Sequence, residues 1–483
     1  MKKKLLNFLL LPILLTAISS CRKDFKEINT NPNASAAATP EALLAPALYD
    51  VVNGNLNRAM RLNNVLMQDH VPLSNNNDIG RYMVRPSESD YMWNNWYLQL
   101  NNFRDMYQKA NDINDTTWMG VSLICDVWVS SQITDMFGDV PYFNAVKGKE
   151  GIYEPEFDLQ KDIYTDLFAK LELANRYLAL NKAIATEKKA ADPLYQGNPL
   201  LWRKFGNSLY LRLLLRVSGK DEMNATEEIK RIVETDAATY PLIASNAESA
   251  VLRFTTIPPY VSEFYNYRDY DFNGAVSLSE FFVNNLNQWK DPRISVWATE
   301  ASLGVYLGVP SGYAEGQVPE QMSSYLAALK NNPLMGNIMN YAELQFILAE
   351  AALKGIIGTS VQSYYEAGVT NAITFWGKEV SEDYLTREGI TWMENADQEQ
   401  KMELIHVQKY YTLFFTDFQQ WSEYRRSGHP QLPLGAGVQN NGIMPSRFKY
   451  PVYVQSVNNA NYNTAVSRMG GDDINIKVWW NKP

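Results

Sequence analysis

Apolar residues recur every three or four positions along several segments, the spacing that places them on one face of an α-helix. In residues 162–180 this face carries Ile163, Leu167, Leu171, Ala174 and Leu178. The helical pattern also runs through residues 92–112, 117–136, 199–217, 341–353 and 404–421. Alternation typical of β-strands is scarce and short. The pattern therefore predicts a mainly α protein with little β-structure.

Two of these segments predict a pair of closely packed helices. The first would run from Tyr341 to Gly355 and the second from Tyr364 to Gly377. The second contains small residues that let helices approach and large ones that fill gaps, namely Ala367, Gly368, Ala372, Phe375 and Trp376. This arrangement is typical of a tetratricopeptide-type hairpin. No strict internal repeat is visible, so we do not expect a regular solenoid.

Long irregular stretches interrupt the helical pattern. Residues 254–273 contain seven aromatic side chains in twenty positions, whereas aromatics are 12% of the whole chain. Residues 297–325 are rich in Gly, Ser, Pro and Tyr, and residues 74–97 are polar with several aromatics. The part after Gly428 has few helix signals. We therefore expect a helical scaffold with long irregular loop insertions.

Composition narrows the function classes. At 46% hydrophobic and 20% charged residues the chain is too apolar to be disordered. A formal net charge of −9 argues against a broad nucleic-acid-binding surface, which needs clustered Lys and Arg. Three scattered histidines and two cysteines argue against a histidine-rich metal site and a disulfide framework. We expect no metal and no cofactor.

The N-terminus has the pattern of a secretion signal. Lys2–Lys4 precede an apolar stretch up to Ile18 that is short for a membrane span. Ser19 and Ser20 then precede Cys21, and this junction resembles a bacterial lipobox, in which the cysteine becomes lipidated. The alternative is an ordinary secretion signal with a coincidental cysteine. The second cysteine, Cys125, has apolar neighbours and is expected to be buried.

Four stretches in fixed order resemble the SusD/RagB-like family of outer-membrane nutrient-binding lipoproteins. They are QITDMFGDVPYFNAV at 132–146, NYAELQFILAEAALK at 340–354, EYRRSGHP at 423–430 and SRFKYPVYVQSVNNANYN at 446–463. The segment Asn29–Pro32 fits the family as well. The resemblance spans essentially the whole chain, except that residues 254–325 match no family motif.

The resemblance implies a surface lipoprotein of Bacteroidetes with a tetratricopeptide-like scaffold. Such proteins lie on the outer membrane facing the cell exterior, as a lid on a SusC-like TonB-dependent β-barrel transporter. They capture glycans, or in some members peptides, and deliver them for import, and they are not enzymes. The choice between oligosaccharide and peptide cargo stays open at this point.

The expected organisation follows from these features. Residues 1–20 are the signal peptide and 21–39 a tether, and residues 40–483 form one SusD-like domain. Within it we expect the helical scaffold at about 40–250 and 335–427, a loop-rich ligand-binding insert at about 250–335 and an irregular C-terminal part at 428–483.

Two loops contain the side chains that suit a sugar ligand. Aromatic rings cover the C–H faces of a sugar, and planar polar groups bond its hydroxyls. The candidate ligand-binding residues are Asp78, Arg81, Tyr82, Trp93, Tyr260, Tyr265, Asn266, Tyr267, Arg268, Tyr270 and Asp271. The alternative is that several of these rings anchor the loops to the helices.

Charged residues of the family motifs are expected to serve the fold. Asp139 suits bonds to nearby backbone N–H groups. Glu350 is expected to be solvated or bonded to a neighbouring helix, and Arg426 to bind a carboxylate or a helix end. Asp472 and Asp473 have no EF-hand spacing, so an exposed acidic turn is favoured over a calcium site.

Two other function classes remain open. A surface glycoside hydrolase needs two carboxylates about 5–10 Å apart in a groove, one with a raised pKa. A chain with 53 acidic residues does not exclude such a pair, although no common catalytic motif supports it. The other class is a helical scaffold that binds proteins and not nutrients, against which the aromatic, polar loops argue. We therefore predict no catalytic residues.

Overall fold

The computed structural model describes residues 39–482, in which sixteen α-helices and four short strands occur. The predicted signal peptide, Cys21 and nearly all of the tether lie outside these residues, so the predicted domain boundaries remain predictions. The helices are α1 Pro40–Arg61, α2 Asn63–Leu66, α3 Glu88–Asp112, α4 Thr116–Phe137, α5 Gln160–Ala179, α6 Pro199–Arg216, α7 Ala225–Lys230, α8 Asp269–Asn273, α9 Glu280–Trp289, α10 Ile294–Trp297, α11 Tyr341–Leu353, α12 Val361–Phe375, α13 Gln398–Thr412, α14 Gln419–Ser427, α15 Val452–Val457 and α16 Asn459–Met469.

The strands form two small antiparallel pairs. β1 (His70–Pro72) pairs with β3 (Val276–Leu278), with His70 opposite Leu278. β2 (Ala250–Val251) pairs with β4 (Asn337–Met339). The prediction of a mainly α fold with little β-structure is confirmed.

The long helices pack in chain order and build the scaffold. α1 packs on α3, α3 on α4, α4 on α5 and α5 on α6, and α6 then contacts α11, which packs on α12 and α13. α4 is buried along almost its whole length, consistent with its apolar sequence. The expected hairpin of α11 and α12 is confirmed, and Gly368 of α12 faces the ring of Phe346 on α11 closely enough that a Cβ would lie 2.7 Å from it.

Local sequence signals explain where these helices begin. Asp115 accepts hydrogen bonds from the backbone N–H groups of Thr117 and Trp118 and so caps α4. Asn198 caps α6, whose first residue is Pro199, where the missing N–H costs nothing. Asp397 and Gln400 form a capping box at the start of α13.

Three predictions about local structure are wrong. The stripe at 404–421 is two helices, because Phe415 and Asp417 adopt positive φ angles of 55° and 41° between α13 and α14. The predicted polar loop at 74–97 ends at Ser87, and residues from Glu88 belong to α3. The C-terminal part contains α15 and α16.

Buried ion pairs join the helices of the scaffold. Glu350 on α11 accepts two hydrogen bonds from Arg426 on α14, at 2.7 and 2.6 Å, and contacts His406 on α13 at 3.1 Å. The acceptor atoms of Glu350, His406 and Glu423 lie within 4.8 Å of one another, a spacing that a metal ion would accept. Arg426 and Lys409 instead supply the positive charge, each within 2.8 Å of a Glu423 oxygen.

Two further acidic residues singled out from the sequence, Asp139 and Asp472, are also paired. Asp139 accepts a hydrogen bond from the backbone N–H of Gln160 and another from Arg468, as the expected role in satisfying backbone groups requires. Asp472 bonds Arg447 at 2.6 Å and is largely buried, so the expectation of an exposed turn is wrong for this residue. Cys125 is buried, as expected.

Within residues 39–482 no helix is both long enough and apolar enough to cross a membrane.

Candidate functional site

A cleft of about 510 Å³ lies where three distant parts of the chain meet. They are the end of α1 with α2, the stretch from β1 to the start of α3, and the 264–271 loop, whose last three residues form the start of α8. The side chains that line it include Asn57, Met60, Arg61, His70, Asp78, Met83, Arg85, Glu88, Phe264, Tyr267 and Asp271.

Pairing between distant segments brings the loops to this position. The antiparallel pair β1–β3 places the 264–271 loop beside the segment that follows β1. The Asn57 amide donates to Glu263 at 3.1 Å and to the Tyr267 hydroxyl at 3.2 Å, which ties the loop to α1. The cleft therefore rests on elements of the scaffold.

Ion pairs form one wall of the cleft. Arg61 bonds both carboxylate oxygens of Glu88, at 2.9 and 2.5 Å, and Arg58 bonds the same carboxylate at 2.6 Å. Arg85 contacts Asp78 at 2.5 Å. Guanidinium and carboxylate groups are thus arranged in adjacent pairs at the cleft surface.

The arginines control the ionisation of two cleft carboxyls. Burial raises the pKa of Glu88, but the hydrogen bonds and charges of Arg61 and Arg58 outweigh it and leave the pKa below its ordinary value. The hydrogen bonds and charge of Arg268 lower the pKa of Asp271. Both groups are therefore ionised at neutral pH.

His70 and Tyr267 line the cleft as neutral groups. Burial lowers the pKa of His70 to about 3. Its ring nitrogen lies 2.8 Å from the Tyr325 hydroxyl. Burial, with the nearby Glu263 charge, raises the pKa of Tyr267.

Of the sequence-predicted residues, the structure brings Asp78, Tyr267 and Asp271 together in the cleft. Arg268 pairs with Asp271 at 2.6 Å and has an 80% exposed side chain. Tyr260 packs against Tyr49 with ring centroids 5.1 Å apart. Tyr265, Asn266 and Tyr270 lie on the same loop but do not line the cleft.

Arg81, Tyr82 and Trp93 lie apart from the cleft. Arg81 is buried and donates to the backbone carbonyls of Tyr313 and Asn75, so it holds the 74–82 segment in place. Tyr82 is buried in the core with a φ of 63°.

Trp93 lines a second groove, of about 320 Å³, together with Tyr97, Tyr153 and Tyr453. Its ring also packs against Phe137 at 5.1 Å. Trp93 and Asp78, two candidates from the same 74–97 segment, therefore line two different grooves.

Sequence reasoning missed Asn57, Arg61, His70, Arg85 and Glu88. Arg85 lies within the polar stretch 74–97, from which other candidates were chosen, so its charged side chain could have been recognised as a further candidate. Asn57, Arg61 and Glu88 lie on helices α1 and α3, and His70 begins β1. No sequence pattern shows that these positions face a loop some 200 residues further along.

The sequence matches the model of a known protein family over most of its length. The model of a SusD-like family described as "Starch-binding associating with outer membrane" matches residues 32–451. No curated protein matches the chain.

Solved structures share the fold over nearly all of the chain. A SusD homologue from Bacteroides fragilis is 23% identical with a TM-score of 0.79, covering 92% of this chain and 100% of its own. A chitin-binding SusD homologue from Flavobacterium johnsoniae is 21% identical with a TM-score of 0.80, covering 92% and 98%. A SusD-like protein from Bacteroides thetaiotaomicron is 21% identical with a TM-score of 0.77, covering 91% and 98%.

Proposed function

Because the chain belongs to the SusD-like family of proteins associated with the outer membrane, we propose that it captures oligosaccharides at the cell surface and delivers them to a partner SusC-like TonB-dependent transporter. In this proposal Cys21 is the lipid attachment site and the protein faces the cell exterior. Peptide cargo is the second candidate, because aromatic and charged groups also bind side chains.

The observation that carries the proposal is the cleft. Asp78, Tyr267 and Asp271 line it from segments about 190 positions apart, and its volume of about 510 Å³ lies within the range of pockets that bind small molecules. A chitin-binding relative shares the fold, which supports an oligosaccharide as cargo.

The charges of the cleft support binding over hydrolysis. A glycoside hydrolase needs a carboxyl group with a raised pKa as its general acid. The arginines around Glu88 and Asp271 lower the pKa of both groups. Two of the three carboxyls that line the cleft are thus perturbed in the direction opposite to that of a general acid. Burial raises the pKa of Glu263, but this residue bonds Asn57 and is not among the residues that line the cleft.

Two tyrosines of one loop provide a matched test of ligand binding. Tyr267 lines the cleft, whereas Tyr270, three residues later, is 69% exposed and lies outside it. Tyr267→Ala should weaken capture of the cognate ligand about tenfold, the loss of one stacked ring. Tyr270→Ala should bind as the wild type, as measured by calorimetry. Equal effects of both substitutions would place the site elsewhere.

The import role has a separate test. The lipidated protein is isolated from outer membranes in mild detergent, and its partners are identified by mass. A stoichiometric large β-barrel partner is the expected result. A surface-anchored protein without a barrel partner would contradict delivery to a transporter, and hydrolysis of oligosaccharides by the purified protein would contradict a binding role.

A further inference from the structure

Two arginines on the cleft surface have hydrogen-bond donors without a protein partner. Arg61 has a side chain that is 56% exposed and bonds Glu88 through Nε and Nη2, while its Nη1 has no hydrogen bond to residues 39–482. Arg85 is 67% exposed and bonds Asp78 through Nη2 alone, which leaves Nε and Nη1 available. Both guanidinium groups can therefore donate to a ligand in the cleft.

The same wall offers few free acceptors. Both oxygens of Glu88 accept hydrogen bonds from Arg61, and one accepts a further bond from Arg58. Both oxygens of Asp271 accept from Arg268, at 2.7 and 2.6 Å. The third lining carboxylate, Asp78, bonds Arg85 through Oδ2 alone, so its Oδ1 is the carboxylate oxygen that a ligand can reach without breaking a bond among the described residues. A ligand thus meets more free guanidinium donors than free carboxylate oxygens.

Ion-pair partners behind the lining decide the charge balance of the cleft. The lining itself has two arginines, Arg61 and Arg85, and three carboxylates, those of Asp78, Glu88 and Asp271. Arg58 on Glu88 and Arg268 on Asp271 add two guanidinium groups, so four arginines pair with three carboxylates. The Asp78 carboxylate bonds Arg85 and also raises the pKa of Arg61, so the two lining arginines share its charge. His70 adds no charge because burial keeps it neutral.

Aromatic surface in the cleft is small. Phe264 is only 1% exposed and His70 only 3%, which leaves Tyr267 as the partly exposed ring among the residues that line the cleft. Stacking on a neutral sugar would therefore use one ring. Charged hydrogen bonds must contribute much of the affinity.

From this arrangement we propose that the cleft selects acidic oligosaccharides, with a uronic-acid carboxylate bound by Arg61 and Arg85. The inference rests on the proposed capture of oligosaccharides and names their chemical class. A guanidinium group presents parallel N–H donors that match the two oxygens of a carboxylate, and such bonds are stronger than those to neutral hydroxyls. Tyr267 would cover one face of the sugar ring.

The test uses calorimetry to measure how tightly the full-length protein, kept in mild detergent, binds three short ligands. They are an oligogalacturonate, a neutral oligosaccharide of the same length and an acidic peptide of equal charge. We expect the oligogalacturonate to bind at least tenfold more tightly than the other two. Its affinity should fall as salt rises from 20 to 500 mM, because screening weakens exposed charge pairs.

Substitutions of Arg85 test whether this residue binds the carboxylate of the ligand. Arg85→Gln should weaken oligogalacturonate binding about tenfold, whereas Arg85→Lys, which keeps the charge without the planar fork, should lose less. Lys149→Gln is the control, since Lys149 is 83% exposed and lies outside the cleft. It removes the same charge and should leave the affinity unchanged.

The outcomes separate this inference from the proposed function. Neutral chains that bind as tightly, without dependence on salt or Arg85, would overturn the acidic selectivity and leave oligosaccharide capture standing. Tighter binding of the peptide would overturn both the ligand class and the oligosaccharide cargo. No binding by any of the three, with a transporter still co-purifying, would overturn the selectivity while retaining the import role.

Discussion

Glu350 is fully buried on α11, and its charge is stabilised by partners from two other helices. Arg426 bonds both of its oxygens, Lys354 lies 2.7 Å from one, and His406 contacts the other. Burial alone would raise the pKa of Glu350, but the charge of Arg426 with the His406 and Lys354 contacts holds it well below its ordinary value. Loss of any one of these partners would leave the buried Glu350 charge less compensated and would destabilise the folded protein.

Removal of Arg426 is predicted to destabilise the fold strongly. Arg426→Ala leaves the buried carboxylates of Glu350 and Glu423 with one counter-charge fewer, which typically costs about 3–5 kcal/mol. Lys149→Ala breaks an exposed pair with Asp105 and should cost about 0–1 kcal/mol. Urea denaturation measures both free energies of unfolding, and similar values for the two variants would contradict the prediction.

His70 is predicted to make stability depend on pH. Its folded pKa is about 3, whereas an unfolded histidine titrates near 6.5, so the unfolded chain binds the proton first as pH falls. Stability is therefore lost from about pH 6.5 downward, by about 2 kcal/mol between pH 7 and pH 5 from this residue.

The comparison of His70→Gln with the wild type isolates this contribution. Burial raises the pKa of the neighbouring Asp69 to about 8, which acts in the opposite direction, since its folded form binds a proton that the unfolded form lacks. On going from pH 7 to pH 5, the free energy of unfolding of the variant should therefore change by about 2 kcal/mol more in the stabilising direction than that of the wild type. Parallel pH profiles would contradict the lowered pKa of His70 in the folded protein.

At the scale of elements, amphipathic helices were predictable from sequence. The stripe of Ile163, Leu167, Leu171, Ala174 and Leu178 is buried along α5, as the spacing predicts. The spacing of apolar residues reports only on local structure, however. It continues across Phe415 and Asp417, where positive φ angles end the helix and turn the backbone. This turn is stabilised from elsewhere in the chain, because Thr416 bonds Asn337 at 2.6 Å.

The N-terminal cap of α4 is visible in the sequence as Asp115, and we predict that it contributes measurably to the free energy of unfolding. Asp115 bonds the backbone N–H groups of Thr117 and Trp118 at 3.1 and 3.2 Å, so Asp115→Ala should cost about 1 kcal/mol. Asp112 at the exposed end of α3 bonds only Gln108, and Asp112→Ala should cost much less. Thermal unfolding of the two variants tests this, and an equal decrease would argue against capping.

At the scale of the whole molecule, the lining of the cleft was predictable only in part. Asp78, Tyr267 and Asp271 line it and were among the candidates, because rings and planar polar groups are visible in sequence; that they bind a ligand stays a prediction. Arg61 and Glu88 join the cleft through helix packing, and Trp93 leaves it because α3 directs that ring into the second groove. Contacts between residues far apart in the chain decide these cases, and composition does not reveal them.

Membrane attachment of the whole molecule is predicted to depend on one of its two cysteines. In the proposed function Cys21 carries the lipid, and its acyl chains would supply the apolar surface that inserts into the membrane. Cys21→Ala should move the protein from the membrane fraction to the soluble one. Cys125→Ala is the matched control, because Cys125 is buried in α4, and this variant should stay with the membrane. Immunoblots of fractionated cells measure both, and retention of the Cys21 variant in the membrane would contradict anchoring by a lipid on this residue.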